Sequence, residues 1–275
     1  MSHQLSKEMQ RLETLMSRLR EPDTGCSWDL QQTYKSIASS TLEEAYEVVD
    51  AIEREDFQHL REELGDLLFQ VVFYAQLGKE DGHFSLADIA KNLVDKLVSR
   101  HPHVFPDGTL DSRVDSNQSA DTEKIKQMWE SIKENERDKK GETTVLAGVP
   151  HTLPALVRAH KLQKRASRVG FDWSDIDSIF EKITEELDEL RVAIKENSQE
   201  EISAELGDVL FSVVNLSRHL KVEPETALRS CNRKFESRFN YVEKTLNEKG
   251  TLIKDASLEE MDFFWEESKK VEVKD

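Results

Sequence analysis

Apolar residues recur along this chain at the three-to-four spacing of a helix face, nearly from end to end. From Thr41, the run TLEEAYEVVDAIERED sets Leu42, Ala45, Val48, Val49 and Ile52 on one side. That predicts an amphipathic helix capped by Ser40 or Thr41, with Glu43 or Glu44 at the reciprocal position. A second helix is predicted from about Phe57 through HLREELGDLLFQVVFYAQL, where Leu60, Leu64, Leu67, Leu68, Val71 and Val72 make a face wide enough for burial. A third starts near Ser85, carries Leu86, Ile89, Leu93, Val94 and Leu97, and is stopped by Pro102 and Pro106 in RHPHVFP. The chain from Pro106 to Ala120, and again ENERDKKGETT from Glu134 to Thr144, is polar and aperiodic. These segments read as a loop and an interdomain linker. After Pro154 four more helical patterns follow: ALVRAHKLQKRASRVG, DIDSIFEKITEELDELRVAI, EEISAELGDVLFSVVNLSRHL and PETALRSCNRKFESRFNYVEKTL. The expected fold class is all-α.

The halves of this pattern are copies of one another. Glu43, Glu44, Glu47, Glu63, Leu64, Gly65, Asp66, Leu68, Phe69, Val71 and Val72 recur as Glu185, Glu186, Glu189, Glu205, Leu206, Gly207, Asp208, Leu210, Phe211, Val213 and Val214. The separation is 142 positions throughout, as 186 is from 44. Further on, Lys96 and Arg100 return as Lys234 and Arg238, 138 positions away, and Met128-Trp129-Glu130 has a looser echo in Phe264-Trp265-Glu266. The expected organisation is therefore a tandem of helical modules, residues 1–133 and 155–275, joined by a linker at 134–154.

Composition narrows the function. With 38 Lys+Arg against 55 Asp+Glu the formal charge is −17, which argues against general nucleic-acid binding and against docking on an anionic membrane. No secretory leader or membrane span is recognisable, so a cytoplasmic location is expected. Cys26 and Cys231 stand too far apart in sequence to suggest a disulfide framework or a thiolate metal site.

The repeated acids carry the candidate chemistry. Glu44 with Glu47, and Glu186 with Glu189, share a helix face at a spacing of three; Glu63 with Asp66, and Glu205 with Asp208, do so on the next helix. A short connection makes those helices antiparallel neighbours, so four carboxylates can face one another in each module. Close approach of four like charges calls for a cation, and an all-oxygen donor set suits Mg²⁺, with Mn²⁺ as a substitute. Within each quartet the acids coincide between copies while neighbours such as Asp50/Val192 and Glu62/Ala204 have changed; a merely solvated face need keep only its charge. Lys96/Arg100 and Lys234/Arg238 put two cations on one face of an otherwise acidic protein, and phosphate oxygens are their natural partner. Gly65 and Gly207 sit inside strong helical patterns at a cost of about 1 kcal/mol each, which suggests a close approach by another helix or a ligand. His101 and His103 form an H-x-H with no third ligand in sight and read as a helix-terminating loop. Gly25-Cys26-Ser27-Trp28-Asp29 and Gly170-Phe171-Asp172-Trp173 look like turns that lead into each module.

At these residues the chain resembles a known family. EEAYE followed by EELGDLLFQVVFYAQ and RHPHVF, then EELDE followed by AELGDVLFSVVNLSRHL and NRKFESRF, is similar to the MazG family of tandem-domain nucleoside triphosphate pyrophosphohydrolases. The resemblance spans nearly the whole chain. It implies all-α modules that pair into four-helix bundles, a homodimer, and Mg²⁺-dependent hydrolysis of NTPs or dNTPs to monophosphate and pyrophosphate. It implies that Glu186, Glu189, Glu205 and Asp208 are metal ligands, with Glu44, Glu47, Glu63 and Asp66, beside Lys96 and Arg100, as a second site in the first copy. Lys234 and Arg238 resemble the phosphate-binding pair, and Lys182 and Trp265 the outer nucleotide contacts. The second copy is expected to hydrolyse and the first to assemble. This sequence departs from the family pattern at Glu201 and Ala204, where relatives can carry a Lys and an acid. Glu185, without an obvious ligand role, is the candidate general base and lies where it can also touch substrate. The alternatives are a narrow-specificity house-cleaning dNTP pyrophosphatase and, from another class, a non-catalytic helical scaffold that binds cations. A di-iron carboxylate bundle is remote, since it wants Glu-x-x-His.

Overall fold

The computed structural model describes residues 2–114, 122–139, 141 and 144–271. The described residues contain helices and no strand, so the chain is all-α. It divides into two compact units, Met1–Lys133 and Glu134–Asp275. The predicted loop beyond Val114 lies in part, at residues 115–120, outside the described residues.

In the first unit α1 (Ser2–Leu19), a short α2 (Ser27–Gln31), α3 (Ala38–Glu53), α4 (Phe57–Glu80) and α5 (Leu86–Arg100) follow in order. Helix α4 is the hub, packing against α1, α3 and α5. Its Val72, Phe73 and Leu77 form the core with Met16 of α1 and with Ile37. Asp56 caps α4 by accepting from His59 N, and Ser85 with Asp88 closes a full capping box on α5. Gly78 is obligatory here, because a Cβ would lie 2.5 Å from the Phe84 ring and 2.8 Å from its carbonyl oxygen.

Helix α6 (Thr122–Lys139) runs across the division between the units. The second unit continues with α7 (Ala155–Arg168), α8 (Ile176–Glu196), α9 (Gln199–His219), α10 (Pro224–Glu248) and α11 (Leu258–Val271), with a single 3₁₀ turn at Ile253–Asp255. Its closest-packed pair is α8 with α9; α7 lies on α9 and α10, and α10 lies mainly on α11. Val242, Leu246 and Phe264 are the buried core between α10 and α11.

Three expectations need correction. Helix α3 begins at Ala38, three residues before the anticipated start, and its N-cap, Ile37, makes no side-chain cap. Thr41 lies inside the first turns and instead bonds to Ile37 O and Tyr74 OH. The stretch from Glu134 is helical through Lys139, since ENERDK holds neither Gly nor Pro and is rich in helix formers. The broad face of α4 is only half buried: Val72 and Phe73 are in the core, whereas Leu64, Leu68 and Val71 are exposed. On α9 the same side, Leu206, Leu210 and Val213, is exposed as well.

Candidate functional site

The hairpin geometry of α8 and α9 builds the site. Asp175 caps α8 through Ser178 N, and Ser198 caps α9 through Glu201 N. Between the helices only Asn197 and Ser198 intervene, and Asn197 takes the left-handed conformation at φ 56° that closes α8. The tight connection forces the helices antiparallel, which carries Glu186 of α8 across to Glu205 and Asp208 of α9. One carboxylate oxygen from each of the three lies within 4.8 Å of the others. In the first unit Glu44 of α3 meets Glu63 and Asp66 of α4 in the same way.

The fourth acid of each expected quartet stands beside its trio. Burial pushes Glu189 above the ordinary carboxylate range, and the charges of Glu186 and Glu205 add to the rise while Lys182 opposes it. Glu44 and Glu63 are likewise pushed up, first by burial; Asp66, Glu47 and Glu63 act on Glu44, while His59 opposes and Glu47 and Asp66 reinforce the rise at Glu63. Burial first, and neighbouring carboxylates second, thus favour proton uptake by these acids. An all-carboxylate donor set with partly buried oxygens fits a hard divalent cation.

The modules differ in which acid they bury and how they hold it. In the second, Glu186 is buried at 6% exposure, and Lys182 holds it with Nζ 2.7 Å from Oε1 while also reaching Glu185 at 3.0 Å. Those bonds, to Glu186 first and then Glu185, push the lysine pKa well up. In the first, Glu63 is the buried acid at 8% exposure, and His59 meets it at 3.2 Å. The counterparts are exchanged: Ser40 stands at the Lys182 position and Glu201 at the His59 position.

Beside the second trio a cleft of about 560 Å³ opens along Val192 and Ala193, with Glu185, Glu189, Glu196, Glu201 and Glu205 among its walls. Its polar side chains are all carboxylates.

The remaining expected site residues lie on other helices. Lys234 is exposed on α10 and makes no hydrogen bond or ion pair to the carboxylates among the described residues. Arg238 sits over the indole of Trp265 at 5.8 Å, and Trp265 also meets Phe235 at 5.2 Å. In the first unit Lys96 is exposed on α5 and Arg100 ends that helix. Trp129 packs against His101 at 5.0 Å and His103 at 6.2 Å, so the H-x-H turn serves as the seat of an indole. Apart from its own helix backbone, nothing among the described residues comes within 4 Å of a Cβ placed on Gly65 or Gly207, so none of the described helices crowds these glycines.

Sequence reasoning missed two long-range ion pairs. Arg20 binds Glu80 in two-pronged fashion, at 3.0 Å and 2.7 Å, and Arg218 binds Asp172, with Asn215 and His219 joining. Their members are 60 and 46 residues apart, and no local signal links them.

Comparison with known proteins agrees with this architecture. The MazG nucleotide pyrophosphohydrolase domain matches twice, at residues 32–105 and 175–243, segments that contain both carboxylate trios and both Lys/Arg pairs. An Escherichia coli K12 protein named nucleoside triphosphate pyrophosphohydrolase is 45% identical over 268 residues, covering 97% of this chain and 98% of that one. A Thermotoga maritima protein named nucleoside triphosphate pyrophosphohydrolase/pyrophosphatase MazG is 40% identical over 94% of this chain and 95% of its own length. Uncharacterized protein YabN of Bacillus subtilis is 43% identical over 98% of this chain, which spans 53% of that longer protein. With both modules matched and full-length relatives aligned from end to end, this chain belongs to the MazG nucleotide pyrophosphohydrolase family.

Proposed function

We propose that this chain is a Mg²⁺-dependent nucleoside triphosphate pyrophosphohydrolase whose second module, residues 155–275, carries the reaction, with 134–154 as the linker from the first module, residues 1–133. The observation that carries the proposal is the convergence of Glu186, Glu205 and Asp208 with a lysine already aimed at them. Full-length relatives named nucleoside triphosphate pyrophosphohydrolase support the reaction class.

The carboxylate trio and the family resemblance together support the following roles. Glu186, Glu205 and Asp208, with Glu189 beside them, hold the cation, for which Mn²⁺ is an alternative. When bound, a divalent cation supplies charge neutralisation to the phosphate chain. Lys182, whose Nζ lies 2.7 Å from Glu186 Oε1, would be within reach of a phosphate oxygen arriving at the trio. Lys234 and Arg238 bind further phosphate oxygens as negative charge builds in the transition state. Glu185, more than half exposed on α8, accepts a proton from the attacking water, and Trp265 on Arg238 contacts the nucleoside. Glu44, Glu47, Glu63 and Asp66, with Lys96 and Arg100, form a second cation site. Homodimer formation is supported by the exposed apolar sides of α4 and α9. Among the described residues no helix is long and apolar enough to cross a membrane.

The test is to incubate the protein with Mg²⁺ and each of the eight common NTPs and dNTPs and to resolve the products. Monophosphate plus pyrophosphate from several bases supports the proposal. One strongly preferred base points to the narrow house-cleaning enzyme, and no turnover at all overturns it in favour of a cation-binding scaffold.

A further inference from the structure

We propose that Asp172 and Arg218 are positioning residues: their ion pair clamps the open end of the α8–α9 hairpin and thereby keeps Glu186 within ligand distance of Glu205 and Asp208. The inference rests on the second-module site described above.

The need for a clamp follows from the hairpin. Its closed end is tied covalently through Asn197 and Ser198. Glu186 lies 11 residues before Asn197 and Ile176 a further 10 before that, so at about 1.5 Å per residue the trio sits near the middle of the pair. Three carboxylates pressed together at mid-length push the helices apart. A covalent link at one end resists sliding but leaves the other end able to splay, and a trio confined within 4.8 Å has little tolerance for splaying.

At the open end stands a connected polar cluster. Arg218, in the last turn of α9, donates through Nη1 to Asp172 Oδ2 at 3.0 Å and through Nη2 to Oδ1. The same guanidinium donates to Asn215 Oδ1 from Nε at 3.1 Å and from Nη2 at 2.7 Å. His219 Nε2 lies 3.0 Å from Asp172 Oδ1. The Arg218 side chain is 14% exposed and that of Asp172 27%, so the pair is half-buried and draws its strength from the two-pronged, charge-assisted geometry. Asp172 also accepts from Trp173 N at 2.9 Å, and the cap of α8, Asp175, follows three residues later. The tie therefore runs from the end of α9 through one short turn into the start of α8.

The first module builds the same joint with the charges exchanged. There the cation, Arg20, directly follows α1, with α2 still to come before α3, and the carboxylate, Glu80, is the last residue of the middle helix α4. The position equivalent to Arg218, 142 residues earlier, is Gln76, which donates to Glu80 at 2.8 Å. Different residues thus join the chain ahead of the hairpin to the end of the middle helix in both modules, and in both the joint lies beyond the carboxylate trio along the hairpin.

The experiment measures Mn²⁺ binding directly, by the electron paramagnetic resonance of free Mn²⁺ in nucleotide-free full-length protein. All samples carry Glu44→Ala so that the second module's site dominates. Asp172→Asn and Arg218→Gln are expected to weaken Mn²⁺ binding at least fivefold, and Arg218→Lys, which keeps the charge but not the two-pronged geometry, to fall between Arg218→Gln and the parent. Val242→Ala, in the α10 core, serves as a variant of comparable or greater loss in Tm and is expected to bind within twofold of the parent. All are compared well below their own Tm. Parental affinity in both Asp172→Asn and Arg218→Gln, or an equal loss in Val242→Ala, overturns the positioning role while leaving the site itself intact. A parent that binds no Mn²⁺ overturns the site and the clamp together. If Arg218→Gln does not fold, Asp172→Asn and Arg218→Lys decide the question alone.

Discussion

Lys182 Nζ lies 2.7 Å from Oε1 of Glu186, the buried acid of the second trio, and the equivalent residue in the first module is Ser40. The lysine neutralises a carboxylate that burial would otherwise disfavour, and it is the cation nearest to where a phosphate chain must arrive. A charge-assisted hydrogen bond contributes about 1.5–3 kcal/mol, or ten- to hundredfold in rate. Lys182→Met should therefore lower kcat/KM at least tenfold. Because the lysine competes with a cation for Glu186, Mn²⁺ binding without nucleotide should stay equal or become tighter. Steady-state kinetics beside calorimetric Mn²⁺ titration checks both halves, and a parallel loss of Mn²⁺ binding would contradict the assigned role.

The crowded acids make a linkage between pH and cation. Glu44, Glu63 and Glu189 are raised above 4.5, so they bind protons more readily in the fold than in the unfolded chain. Their contribution favours the fold below about pH 4.5 and is lost as pH rises through the raised values. Without divalent cation, stability should fall across that interval toward neutrality, and Mg²⁺ should restore it. Melting curves at pH 5 and 7.5, in chelator and in Mg²⁺, should show the larger Mg²⁺ shift at pH 7.5. An equal shift at both values would count against cation binding at these acids.

Gly65 and Gly207 have open space where a Cβ would go. Replacing either by Ala should raise stability by about 0.5–1 kcal/mol, the ordinary helix-propensity difference. Thermal denaturation of Gly65→Ala and Gly207→Ala tests this. A fall in Tm would show that a surface outside this chain covers the position.

The tie between Asp172 and Arg218 predicts an effect at the acid end. Burial alone would raise the Asp172 carboxyl, but Arg218 and then His219 outweigh it and hold it below 3.8. Its stabilisation is present above that value and is lost as pH falls through the lowered one. Asp172→Asn should therefore be less stable than the parent at pH 7 and approach it near pH 3. Denaturant melts at the two pH values check this; a constant difference would contradict it.

The sequence made the helices and the trios legible for definite reasons. Apolar spacing marks α4, α5 and α7 to α10 because their faces are continuous, and Asp56 and Ser85 are recognisable caps. Glu186, Glu205 and Asp208 stood out because the duplication held them while Asp50 and Glu62 drifted. The start of α3 was missed because Ser40 and Thr41 imitate a cap, whereas packing of Ile37 in the core sets the helix start at Ala38. Arg20 with Glu80 and Arg218 with Asp172 were invisible because a contact between residues so far apart depends on how α1 and α7 fold back onto the middle helix. Trp129 was expected to mirror Trp265, yet its ring meets two imidazoles where Trp265 meets Phe235 and Arg238.

The most direct test compares Glu186→Ala with Glu44→Ala in a Mg²⁺ assay of nucleoside triphosphate that separates pyrophosphate from orthophosphate. Removing a ligand of the reacting site should cost on the order of 100-fold or more. Monophosphate and pyrophosphate are expected from the parent, a loss of that size in Glu186→Ala with helix content retained, and continued turnover in Glu44→Ala. Orthophosphate and diphosphate as products, or undiminished turnover in Glu186→Ala, would contradict the proposed function.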